Sequence, residues 1–198
     1  MATAETARNR AKNERRAALL REAARLFAES GYSEVTLEEI GGAVGISGPA
    51  VYRHFAGKQA LLGAVLIDIS QRLYDRGLAV TTVTDPVARL DRLIASHVTF
   101  ALAHPDVIRV HDRDLSHLRT EDHSAVRRLQ RGYIDLWIDA VSAVVPAPSA
   151  ELRLRVQASF GLINSTPHST SAPDRKRAAT SELLSAMARA ALTAPSRS

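Results

Sequence analysis

The chain has 198 residues, 45% apolar and 24% charged, with a formal net charge of +5 and no cysteine. That is the composition of one compact domain, or of a small module on a larger one. It excludes a disulfide framework, a thiolate metal site and a cysteine nucleophile, and no run approaches the roughly 18 apolar residues of a membrane span. The opening MATAETARNRAKNERR lacks the apolar core of a secretory signal, so a soluble cytoplasmic protein is expected. The positive charge is uneven: the first 25 residues carry seven cations against three anions, and the rest is close to neutral. Such a tail permits nucleic-acid binding without establishing it.

Taken in order, nearly every segment repeats its apolar residues with helical period. The first helix is predicted over residues 13–30, where Leu19, Leu20, Ala23, Ala24, Leu26 and Phe27 share a face and Gly31 supplies the stop. Residues 1–12 read as a flexible basic arm. A short helix follows over 37–44. Thr36 and Glu39 form its capping box, and Val35 with Ile40 a hydrophobic staple. Gly45 breaks it, Ser47 is a second N-cap candidate, and another short helix covers 48–54. A long helix starts at Gly57 or Lys58 and runs to about residue 78. Beyond a turn over 80–84, Asp85 and Pro86 open a helix reaching residue 103. Helices over 106–118, 122–145 and 149–166 follow, then a loop, PHSTSAP, and a last helix over 174–192. About nine helices and no strand define an all-α chain. The reading divides it into an arm (1–12), a three-helix helix-turn-helix module (13–57), a ligand-binding and dimerisation bundle (58–194) and a disordered tail (195–198).

Two short helices joined by a glycine-containing turn describe a helix-turn-helix. The stretch TLEEIGGAVGISGPAVYRHFAGKQALL, residues 36–62, is more specific. Its Thr-opened helix, Gly-Ile-Ser turn, Tyr-x-His-Phe end and following lysine, with Leu-Phe-Ala-x-x-Gly-Tyr before it, resemble the DNA-binding segment of the TetR family of bacterial repressors. The resemblance covers residues 16–66 and is only architectural beyond them. It implies a regulator that reads a palindromic operator in double-stranded DNA as a homodimer and is released by a small molecule. An activator, or a helical small-molecule-binding protein of the same fold, is the alternative.

In a helix-turn-helix the second helix enters the major groove. The DNA-contact candidates are therefore Thr36, Ser47, Gly48, Pro49, Ala50, Tyr52, Arg53, His54 and Lys58. Ser47, Tyr52, His54 and Thr36 suit phosphate oxygens. Lys58 breaks a local rule, since a cation in a helix's first turn opposes the macrodipole, and an anionic partner would account for it. Pro49 and Ala50 can touch a thymine methyl, and the Gly48 N–H a base or phosphate. Arg53 suits bidentate guanine readout or a phosphate equally. Gly57 replaces the polar N-cap common in the family, at a few tenths of a kcal/mol. Val51, Phe55, Ile40, Val44 and Ile46 read as core. Arg8, Arg10 and Lys12 form an arm suited to a minor groove.

The resemblance further implies an effector cavity in the middle helices and a dimer built from the last two long ones. Cavity candidates are His97, Phe100, His104, His111, Tyr133, Trp137 and Phe160, an apolar and aromatic set that suits a hydrophobic or aromatic small molecule. Dimer candidates are Val156, Phe160 and Ile163 on one helix and Leu184, Met187 and Ala191 on the other; either stripe can equally face its own core. His104, His111, Asp112, Asp114, His117 and His123 lack metal-ligand spacing and are interleaved with arginines, so no metal and no cofactor is expected. The glycines at 41, 42, 45 and 48 follow no strand and fit no phosphate-binding loop, and no nucleophile elbow or carboxylate pair stands out, which argues against an enzyme.

Overall fold

The computed structural model describes residues 2–195. Its helices are α1 (Ala2–Ser30), α2 (Leu37–Ala43), α3 (Gly48–Val51), α4 (Lys58–Val80), α5 (Pro86–Ala103) and α6 (Pro105–Asp114). After a 3-10 turn (Leu115–His117) come α7 (Thr120–Ser142), α8 (Ser149–Asn164), the single turns α9 (Thr166–Ser169) and α10 (Ala172–Arg175), and α11 (Ala178–Thr193). No strand occurs among the described residues.

Two cores organise these elements. The first joins α1, α2 and α3 to the N-terminal half of α4 through Leu19, Phe27, Ile40, Val51, Leu61 and Leu66, and it also takes Val110 from α6 and Val126 from α7. Each such side chain, fully buried, stabilises the fold by about 1.5–3 kcal/mol. The second lies among α5, α7, α8 and α11 around Leu90, Ile94, Val98, Trp137, Val156, Ile163 and Leu192. The first core thus runs past residue 57, and α4 belongs to both.

The helix expected over 48–54 ends at Val51, with turns following, and three further local features differ from the sequence reading. Residues 2–12, read as a flexible arm, are the opening turns of α1. No Gly or Pro interrupts residues 2–30 and the segment is rich in Ala, Arg and Glu, all strong helix formers. The segment PHSTSAP is not a plain loop. Pro167 and Pro173 each start a single helical turn, Ser171 caps the second by accepting from the Asp174 N–H, and the last helix begins at Ala178 instead of residue 174. Gly57 is more than a missing cap. Its φ of +146° lies where residues with a Cβ are strained, so the entry into α4 needs glycine for its backbone. Of the predicted tail, residues 196–198 lie outside the described residues.

Candidate nucleic-acid interface and internal cavity

The helix-turn-helix is built as its sequence dictates. Thr36 Oγ1 accepts from the Glu39 N–H at 3.2 Å, while Glu39 Oε2 accepts from the Thr36 N–H at 2.7 Å and from its hydroxyl at 2.9 Å. These bonds hold the Glu39 carboxyl below the usual carboxylate range. Gly45, at φ +72°, turns the chain, and the Ile46 N–H returns to the Gly41 carbonyl at 2.9 Å. Val51 and Phe55 anchor α3 and the turn after it to the core, with Val44 and Ile46 half-buried beside them.

What remains outside is a narrow face. Ser47, Pro49, Tyr52 and Arg53 are exposed, Tyr52 by 57%, and Ala50 is half-buried. Ser47 holds the N-cap position of α3, yet its hydroxyl makes no capping bond, contrary to the sequence reading. Gly48 is buried: a Cβ there would lie 2.7 Å from Glu38 Oε1, so its small size serves α2–α3 packing. His54 is half-buried, with Nδ1 enclosed and unpartnered; burial, and then Lys12, Arg15 and Arg16, push its pKa down. Lys58 finds an intramolecular partner: Nζ donates to the Ser33 carbonyl at 3.0 Å and sits 4.7 Å above the Tyr32 ring. That clamp of α4 onto the α1–α2 turn explains a cation at a helix start without an external anion.

Basic residues flank this face. Arg15 Nη1 donates to the Val44 carbonyl at 2.7 Å, and the Arg16 guanidinium lies 5.0 Å from the Phe55 ring centroid.

The second feature is a partly open cavity of about 260 Å³ lined by α4, α5, α6, α7 and α8. His97, Phe100, His111, Tyr133 and Phe160 line it; His104 and Trp137, expected there, do not. Trp137 is fully buried behind the cavity, edge-on to Phe160 at 5.0 Å and to His97 at 5.8 Å, while His104 packs on Phe100 at the α5–α6 corner. Ser70 and Leu73 of α4, Gln130 of α7 and Asn164 of α8 also line it. The sequence reading draws its cavity candidates from apolar, aromatic and histidine residues of the middle helices, and so omits these.

Inside it the rings of His97, Phe160 and Tyr133 stack, His97 on Phe160 at 4.6 Å and Tyr133 on Phe160 at 5.6 Å. The Tyr133 hydroxyl donates to His97 Nδ1 and His97 Nε2 donates to Asn164 Oδ1, both at 3.2 Å. Burial pushes His97 down to about 4, against the opposing pull of the Asn164 bond, so the imidazole is neutral at physiological pH. The lining includes Asp112 but no Lys or Arg among the described residues.

Three dimer candidates need correction. Val156 and Ile163 are fully buried in the chain's own core, and Phe160 faces the cavity. Leu184 and Ala191 are half-buried, and Met187 is exposed. The outward stripe of α8 is Leu154, Ala158 and Gly161, and that of α11 is Leu183, Ala186, Met187 and Ala190.

An exposed, rigidly backed recognition element on a helical body with a partly open cavity defines a DNA-binding regulator. The comparisons agree. Residues 19–65 match the model of the bacterial regulatory proteins of the tetR family, and residues 83–168 that of the tetracyclin repressor-like C-terminal domain. The chain belongs to the TetR family, whose members are transcriptional regulators and not enzymes. It is 26% identical over 157 residues to the transcriptional repressor KstR2 of Rhodococcus jostii, covering 78% of this chain and 77% of that one. Its fold superposes on the ketosteroid transcriptional regulator KstR2 of Mycobacterium tuberculosis with a TM-score of 0.74 at 18% identity, covering 90% of this chain and 93% of the other. It also superposes on AibR, solved with isovaleryl coenzyme A and operator DNA, with a TM-score of 0.74 at 20% identity, covering 92% and 100%. No helix among the described residues is long and apolar enough to cross a membrane.

Proposed function

We propose that this protein is a homodimeric repressor that reads a palindromic operator with paired copies of α3 and leaves it when an uncharged, largely apolar effector fills the cavity. The observation that carries the DNA reading is the division of α3 and its following turn. Val51 and Phe55 are buried, while Ser47, Pro49, Tyr52 and Arg53 point away from the body. Arg53 reads a base, Pro49 and Ala50 supply apolar contact, and Ser47 and Tyr52 hold phosphates. One such helix covers few base pairs, so two copies about 34–36 Å apart are needed. The outward stripes of α8 and α11, led by Leu154 and Leu183, are the surfaces that bring them together.

Neutral His97, the stacked rings and the missing Lys and Arg favour an uncharged ligand. With Oδ1 bonded to His97, Asn164 offers its amide N–H groups to a ligand carbonyl. An uncharged ketone carries such a group, whereas the phosphates of a coenzyme A thioester, the ligand solved with AibR, would find no Lys or Arg in this lining. Fluorescence anisotropy of the purified protein on DNA selected in vitro tests the DNA reading. Tyr52→Ala should weaken all sequences alike, whereas Arg53→Ala should relax preference at one base position at a cost of about 1–3 kcal/mol. Wild-type protein that binds no duplex at low salt refutes the proposal.

A further inference from the structure

The basic N-terminal segment is helical, and that changes what it can do. At roughly 100° per residue, Arg8, Lys12, Arg15 and Arg16 fall within one sector of α1 about 100° wide. Leu19 and Ala23, fully buried against the helix-turn-helix, continue the same sector toward the C-terminus. Glu14 and Arg10 lie on other sides. One face of α1 therefore packs on the DNA-reading module in its second half and projects past that module as a row of cations in its first. Two contacts fix its direction: Arg15 bonds the Val44 carbonyl and Arg16 lies over Phe55; with Lys12 these charges also help lower the His54 pKa, at the end of the recognition element. Lys12 and Arg8, one and two turns further out, are exposed.

We propose that this half of α1 is a rigid second arm for duplex DNA, which lays Arg8 and Lys12 along the phosphate backbone beside the stretch read by α3. The proposal rests on the DNA-binding reading above and assigns the arm a phosphate contact in place of minor-groove insertion. A basic row continuous with an exposed reading face is complementary to a polyanion. Because the arm is an uninterrupted extension of a packed helix, its cations are held in place before binding and lose little freedom on contact.

The test uses the full-length protein and a duplex of arbitrary sequence, because phosphate contacts need no operator. Each phosphate contact adds about 0.9 to the slope of log affinity against log salt. In the homodimer Arg8→Ala/Lys12→Ala removes four such contacts, so between about 50 and 200 mM salt the wild type should lose roughly a hundredfold more affinity than this variant. Arg10→Ala, on another side of the helix, should keep the wild-type slope. Ala11→Pro keeps every charge but breaks the helix, and should fall toward the double variant. Circular dichroism confirms that each variant is folded. An unchanged slope in the double variant, equal flattening by Arg10→Ala, or wild-type behaviour of Ala11→Pro overturns the arm while the helix-turn-helix reading stands. Failure of the wild type to bind any duplex removes both.

Discussion

His97 offers a direct measure of how the cavity is built. It is wholly enclosed, hydrogen-bonded at both nitrogens, and its pKa sits near 4 against 6.5 in an open chain. Above about pH 7 both folded and unfolded states are neutral at this site, and full stability is present. Between the two pKa values the unfolded chain takes up a proton that the native chain refuses, so stability falls as pH falls, by about 1.4 kcal/mol per pH unit. The loss at pH 5 relative to pH 7 is about 2 kcal/mol, and it levels off near 3 kcal/mol once the native imidazole itself titrates. His97→Gln retains a donor toward Asn164 but cannot titrate. His54 and His104, whose pKa values are also pushed down by burial, contribute equally to both proteins and cancel in the difference. Urea unfolding at one protein concentration, followed by fluorescence of the single tryptophan, Trp137, reads the site directly, since its ring lies 5.8 Å from that of His97. The wild type should lose about 2 kcal/mol more than His97→Gln between pH 7 and pH 5. Parallel pH profiles would refute a neutral, sealed imidazole.

Thr36→Ala removes the capping box at the start of α2 and should cost about 1 kcal/mol in thermal unfolding, with Thr36→Ser restoring most of it. Gly41→Ala places a Cβ 2.8 Å from the Ile46 carbonyl and 3.0 Å from Val51 Cγ2, so it should destabilise the protein by about 1–3 kcal/mol and abolish DNA binding. Gly42→Ala next to it, with nothing within 4 Å, should melt at or above the wild-type temperature. Leu154 is 66% exposed in the single chain, so Leu154→Glu should give a folded monomer by sedimentation. A dimer that survives that change places the interface elsewhere.

The sequence carried the DNA-reading module almost completely because its signals are local. A capping box, a glycine turn and a Tyr-x-His-Phe end each depend on residues within one helical turn of one another, and α2 starts at Leu37 as they require. Lys58 shows the limit of that logic. The broken helix-dipole rule was real, but its resolution lay 25 residues away at the Ser33 carbonyl, a contact no local pattern carries. The dimer stripes failed for a related reason. On α8 the apolar residues Leu152, Val156, Phe160 and Ile163 and the outward stripe of Leu154, Ala158 and Gly161 both follow helical period, and only the position of α5 and α11 decides which set is core. Ser70, Gln130 and Asn164 escaped because a polar wall residue leaves no mark in a hydrophobic pattern.

Cavity and reading head are not independent bodies, because α6 belongs to both. Ile108, His111 and Asp112 form part of the cavity wall. From the same ten-residue helix, Val110 is fully buried in the first core, and Arg113 bonds both the buried Asp114 carboxylate at 3.0 Å and the Phe27 carbonyl of α1. Just beyond, the His117 carbonyl accepts from Gln59 at 2.8 Å and its ring packs on Tyr32 at 4.8 Å, beside the Lys58 clamp. A ligand that shifts α6 by any amount must therefore move the end of α1 and the start of α4 with it, or break these bonds. A ligand moves an equilibrium only by its difference in affinity for the two states, and about 5.5 kcal/mol is needed to turn 99:1 into 1:99. In the proposed switch that difference arises where the cavity wall continues into the reading head, at Ile108, His111 and Asp112 of α6 and at Ser70 and Leu73 of α4, whose first turn is tied to the same corner through Gln59 and Lys58.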